Sequence, residues 1–79
     1  IRKGMTVYGS AGAKLGAITE ADFRSDGGVE NFTVEHGLVF KKHKQLPGDV
    51  IQEITGEEVR LLIDETEFDL IQNTEDIEA

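Results

Sequence analysis

Hydrophobic and polar residues change places at every second position along most of this chain, and glycines mark the breaks. A period near two sends successive side chains to opposite faces of a strand, so the pattern predicts strands joined by turns. Met5, Val7 and Gly9 alternate with Thr6 and Tyr8 in a first strand, and Ser10-Ala11-Gly12-Ala13 supplies a turn. A second strand starts at Lys14. Its inward candidates, Leu15 and Ile18, are three apart, which strict alternation cannot place on one face. A bulge at Gly16 repairs this, since glycine tolerates the positive φ that a bulge often needs. Ser25-Asp26-Gly27-Gly28 then reads as a hairpin turn with positive φ available twice.

The cleanest alternation follows, with Phe32 and Val34 on one face and Asn31, Thr33 and Glu35 on the other. Gly37 breaks it. Leu38 and Phe40 resume on one face with Val39 and Lys41 opposite, and Leu46-Pro47-Gly48-Asp49 ends the strand because proline cannot donate to a ladder. Val50, Ile51 and Ile54 form a helical turn leading to a brief strand, closed by the turn Thr55-Gly56-Glu57-Glu58. In a last strand from Val59 to Ile63, Val59, Leu61 and Ile63 point one way and Arg60 and Leu62 the other. After Asp64 the period changes to a helical one. Asp64 stands as N-cap with Glu67 in capping-box register, and Phe68 and Ile71 follow at helical spacing, so a short helix runs from about Glu65 to Gln72. Its acidic first turn suits the positive end of the helix dipole. The polar, acidic segment from Asn73 to Ala79 is expected to fray. The elements sum to a mainly β fold, a small barrel or sandwich with one short C-terminal helix.

At 79 residues the chain is one domain with a small core, and its 38% hydrophobic content argues against wholesale disorder. There is no cysteine, which removes disulfide and thiolate chemistry and fits a reducing compartment, so a cytoplasmic location is expected. No apolar run approaches the roughly 20 residues that span a membrane. The net charge of −8 is unevenly placed: residues 1–48 hold seven Lys/Arg against five Asp/Glu, and residues 49–79 hold Arg60 alone against eleven acids. Such a field repels phosphate backbones, so nucleic acid is an unfavoured partner. Only Lys41, Lys42, His43 and Lys44, with Arg2 and Lys3, offer a local basic patch.

Three segments stand together in order: Gly4-Met5-Thr6-Val7-Tyr8-Gly9, Gly12-Ala13-Lys14-Leu15-Gly16-Ala17-Ile18 and Leu46-Pro47-Gly48-Asp49-Val50-Ile51. Together they resemble the PRC-barrel domain, a family shared by the cytoplasmic domain of the photosynthetic reaction-centre H subunit and the C-terminal domain of a ribosome maturation factor. They are also similar to small stand-alone bacterial relatives. The resemblance covers roughly residues 4–63. It implies a PRC-barrel-like β-barrel of about six strands over residues 1–63, used as a protein-interaction platform with no catalytic residues to carry over. The acidic helix and tail, residues 64–79, fall outside that pattern and are expected to pack Phe68 and Ile71 across one barrel end or to trail from it. These 79 residues show neither the membrane helix of the first relative nor the N-terminal domain of the second, so neither specific task is expected to transfer.

Motifs for chemistry are sparse. Neither Gly-x-Gly-x-x-Gly nor a Gly-x4-Gly-Lys-Ser/Thr loop occurs, so nucleotide cradling is unsupported. Ser10 lacks the glycine two residues before it that a nucleophile elbow needs. His36 and His43 have no cysteine partner and no spacing that aims both at one metal. Asp22, Asp26, Gly27 and Glu30 echo a calcium loop, but Arg24 sits at a ligand position and Thr33 where the bidentate Glu belongs. Asn31-Phe32-Thr33 matches a glycosylation triplet inside a predicted strand. The carboxylates Asp64, Glu65, Glu67 and Asp69 lie on an exposed helix rather than in the cleft that acid–base catalysis requires.

These readings converge on a non-catalytic binding or adaptor module with no enzyme activity, cofactor or metal site. Its partner is expected to be another protein or a second copy. Tyr8, Val39 and Leu62 on predicted outer faces, with Lys41, Lys42 and Lys44, are the candidate interaction surface. The alternative is a barrel that binds a small molecule or metal ion through surface His36, His43 and nearby carboxylates.

Overall fold

Strands form where the alternation is cleanest and end where glycine or proline interrupts it. The computed structural model describes residues 1–37 and 39–74. Its strands are β1 (Thr6–Tyr8), β2 (Lys14–Phe23), β3 (Val29–His36), β4 (Lys42–Pro47), β5 (Ile51–Thr55) and β6 (Glu58–Leu61). A 3-10 turn, Gly48–Val50, joins β4 to β5, and helix α1 is Glu65–Leu70. All six strands belong to one half-barrel sheet in the order β4-β3-β2-β1-β6-β5. Among the described residues only the β1–β6 pair is parallel; the other pairs are antiparallel. The expected mainly β, six-stranded fold with a short C-terminal helix is the fold of this chain. Inward residues from five of the strands meet in one core, centred on Val7, Ile18, Phe32, Leu46 and Leu61.

Bulges set the curvature. Val7 pairs with Gly16 and Tyr8 with Lys14, so Leu15 is the extra residue, and Leu15 and Ile18 both reach the core as their spacing requires. The reason for Gly16 differs from the expected one. Its φ is not positive; instead, a Cβ there would collide with the Glu35 carbonyl oxygen of β3. In the β2–β3 hairpin only Gly27 uses positive φ, at 91°.

The helix is one turn and a half, too short to stand alone in water. Two features hold it. Asp64 accepts from the Glu67 backbone N–H at 2.9 Å while the Glu67 side chain accepts from Asp64 N–H at 3.1 Å, which completes the expected capping box. Phe68 is buried in the core, a contribution of about 1.5–3 kcal/mol by transfer alone. Ile71 packs against the same cluster.

Three sequence expectations are corrected in this region. Lys44, expected on the surface, is only 4% exposed. It occupies the inward register of β4 beside Leu46, where its ammonium donates to the Ile71 carbonyl and lies 5.4 Å from the Phe68 ring centroid. The strand expected to resume after Gly37 begins only at Lys42, and Val39 and Phe40 lie in a bend; Leu38 is outside the described residues. Finally, the chain after α1 is tied down at its start rather than frayed. Asn73 Oδ1 lies 3.2 Å from His36 Nε2, and Thr74 Oγ1 donates to the His43 carbonyl at 3.2 Å. The rest of the expected fraying tail, 75–79, lies outside the described residues.

Candidate interaction surface

The outer face of β3 and β4 is polar. His43 Nε2 lies 3.3 Å from Glu35 Oε2 across the strand pair, and Gln45 donates to Asn31 at 3.1 Å. A shallow hollow of about 690 Å³ opens over this face, lined by residues including Thr19, Glu20, Thr33, His43 and Gln45. His36 is elsewhere: its ring meets Phe68 edge-on at 5.4 Å, on the inner side of β3. The two histidines therefore sit on opposite faces, and no group of three potential metal ligands gathers among the described residues.

A second depression has the opposite chemistry. Among the described residues no strand pairing closes the half-barrel between β5 and the β2–β3 hairpin, and a groove of about 380 Å³ runs along this seam. Phe23, Val29, Ile51 and Ile54 line it, with Ile1 at one end and Arg24 and Asp49 among its polar residues. Ile51 and Ile54 are three apart and reach the same groove because β5 carries its own bulge: Ile51 pairs with Leu61 and Glu53 with Arg60, leaving Gln52 extra. At the base of the seam Gly48 abuts Val29 so closely that a Cβ would strike the Val29 carbonyl. The hairpin rim is fixed by Asp26. Its carboxylate accepts from Gly28 N–H at 2.8 Å and faces the Arg24 guanidinium at 3.4 Å. The backbone donor first, then the guanidinium charge, hold that carboxyl below its ordinary pKa.

The comparisons with known proteins bear on this architecture. The family model of the PRC-barrel domain matches residues 3–70, which spans β1 through α1. The chain belongs to the PRC-barrel family. No curated protein matches it. The match extends past the segment that carried the resemblance, residues 4–63, to take in the capping box and Phe68. None of the helices among the described residues of this PRC-barrel domain is long and apolar enough to cross a membrane.

The structure divides the residues expected to form its interaction surface between the β1–β6 pair and the region of the β3–β4 connection. Tyr8 is half-buried on β1, opposite Lys14 and Arg60, and Leu62 is exposed just beyond β6, where its backbone N–H donates to the Val50 carbonyl at 2.7 Å. Val39, 81% exposed, belongs with Phe40 to the β3–β4 connection, and β2 lies between that connection and the β1–β6 pair. Lys41 and Lys42 are exposed, but burial of Lys44 breaks the basic run. Of the further basic candidates Arg2 and Lys3, Arg2 is engaged with Glu57 at 2.8 Å. Sequence reasoning missed Phe23 and Ile54. The signal for Ile54 was its three-residue spacing from Ile51, the same sign that marked the Leu15 bulge. For Phe23 the signal was an aromatic placed directly before a hairpin turn.

Proposed function

We propose that this PRC-barrel domain is a non-catalytic protein-interaction module that docks its partner in the open seam between β5 and the β2–β3 hairpin. The observation that carries the reading is the pair Phe23 and Ile54: they line one groove while 56% and 43% of their surfaces remain exposed. An aromatic and a branched aliphatic side chain held half-buried in a concave place are the anchors that protein interfaces use, and burying them completely is the gain that binding offers.

The test is capture from lysate of the source organism by three forms of the tagged domain: wild type, Phe23→Ser with Ile54→Ser, and Val39→Ser with Leu62→Ser. The first double variant loses a nuclease-resistant partner that the second retains. Phe23 and Ile54 are half-buried, so each of their substitutions costs about 1 kcal/mol, more than at the exposed Val39 and Leu62, and thermal melting checks that both variants remain folded. A partner retained by all three forms, or none captured by any, defeats the seam reading. Sedimentation of the purified domain tests self-association through the same face.

The polar hollow over Thr33, His43 and Gln45 supports a second reading, a surface site for a small polar molecule. A ligand that binds only the folded state raises its melting temperature. A metabolite or metal that does so in the wild type and not in His43→Gln favours this reading over protein docking.

A further inference from the structure

Resting on the protein-interaction reading, we infer that the seam takes an extended, basic and apolar segment of a partner protein, added as a strand to the free edge of β5. Three observations converge. First, among the described residues β5 ends the sheet and pairs only with β6, and Gln52 to Thr55 are exposed. An unpaired edge is a row of donors and acceptors ready for another chain, and added strands are a general mode of peptide recognition. Second, the groove beside that edge supplies apolar contacts to alternate side chains of such a strand, on Phe23, Ile51 and Ile54.

Third, the charges around the seam select the occupant. Arg2 is paired with Glu57 and Arg24 with Asp26, whereas Asp49 in the groove lining and Glu53 on the edge strand itself carry no ion pair among the described residues; Arg60, opposite Glu53, lies one strand further in on β6. The rim therefore presents acids, and an incoming strand with Lys or Arg between its apolar positions complements them. A second copy would set acid against acid along the same edge, which disfavours it. Glu53 and the bulge at Gln52 also discourage indiscriminate strand addition, so the edge is selective rather than adhesive.

The experiment is selection of random dodecapeptides on the intact domain. Enriched peptides are then synthesised, their affinities measured at low and moderate salt, and amide exchange of the domain followed by NMR. Enriched sequences alternate apolar residues with Lys or Arg, slow the exchange of amides within Gln52 to Thr55, and lose about ten-fold in affinity from low to moderate salt. They also lose about ten-fold on Asp49→Asn with Glu53→Gln, a variant whose folding is checked by thermal melting. No enrichment, enrichment of acidic or helix-forming peptides, or a dimer that protects β5 without peptide overturns the inference. Peptides that instead protect the Val39–Phe40 bend overturn it while leaving an interaction module with a different face. If no peptide binds, the three-form capture still judges the interaction reading separately.

Discussion

β4 and β5 terminate the same sheet, and the chain treats the two edges in opposite ways. Along β4 the C-terminal segment returns: Thr74 bonds the His43 carbonyl, Lys44 bonds the Ile71 carbonyl, and Pro47 removes a donor at the strand's end. Along β5 none of the described backbone bonds outside the β5–β6 pair reaches Gln52 to Thr55. The apolar residues follow the same division. Phe68 closes the β4 side and is buried, whereas Phe23 beside β5 is more than half exposed. In so small a domain one aromatic is a large share of the available core, so leaving another in water is informative. The two phenylalanines mark a sealed side that maintains the fold and an open side free to bind.

Phe68→Ala breaks the sealed side most severely. Truncating a buried phenylalanine costs about 3–5 kcal/mol, a large part of the stability of a domain this size, and it also removes the ring beneath Lys44 and beside His36. Urea unfolding should show a population already unfolded without denaturant. A loss below about 1 kcal/mol would mean that the helix is an accessory to the barrel. Gly48→Ala attacks the base of the seam. The new methyl group meets backbone rather than a movable side chain, and the cost is about 1–3 kcal/mol in the same assay. Full stability in that variant would show that the hairpin and the 3-10 turn can separate freely.

Lys44→Met sharpens the comparison further, because methionine keeps the length of the stem and removes only the ammonium. The Ile71 carbonyl loses its donor, at about 1–3 kcal/mol. The more telling readout is local: amides of β4 and of residues 71–74 should exchange faster while those of β5 do not change. Uniform acceleration would indicate general destabilisation rather than release of one edge.

Much of this division was legible in the sequence. Strict alternation announced β3, the Asp64–Glu67 register announced the capping box, and the three-residue spacing of Leu15 and Ile18 announced a bulge. Lys44 was not legible, because a lysine in a run of lysines looks solvated until a carbonyl and an aromatic ring are brought over it by residues some 25 positions away. The same holds for Gly16 and Gly48. Their lack of a side chain answers to the carbonyls of Glu35 and Val29, contacts that only the tertiary fold creates. The seam was hidden for a related reason. Phe23 and Ile54 become neighbours through sheet curvature, and no local pattern records which pair of edges fails to meet.

Asp26, on the rim of the open side, gives the smallest effect and a pH dependence of definite sign. Its pKa in the folded hairpin lies below the unfolded value of about 3.9. The ionised carboxylate therefore favours the fold above that unfolded value, and the contribution disappears as pH falls through the lower folded one. The group is fully exposed, so global unfolding is a poor gauge of it. An NMR titration of the Gly28 amide, which donates to that carboxylate, should show a transition below about pH 4, and Asp26→Asn should abolish it. If the Gly28 amide titrates at the ordinary aspartate value, the hairpin rim is not held by this bond. The open side would then lack a pre-set wall, and a partner strand would have to order the rim as it binds.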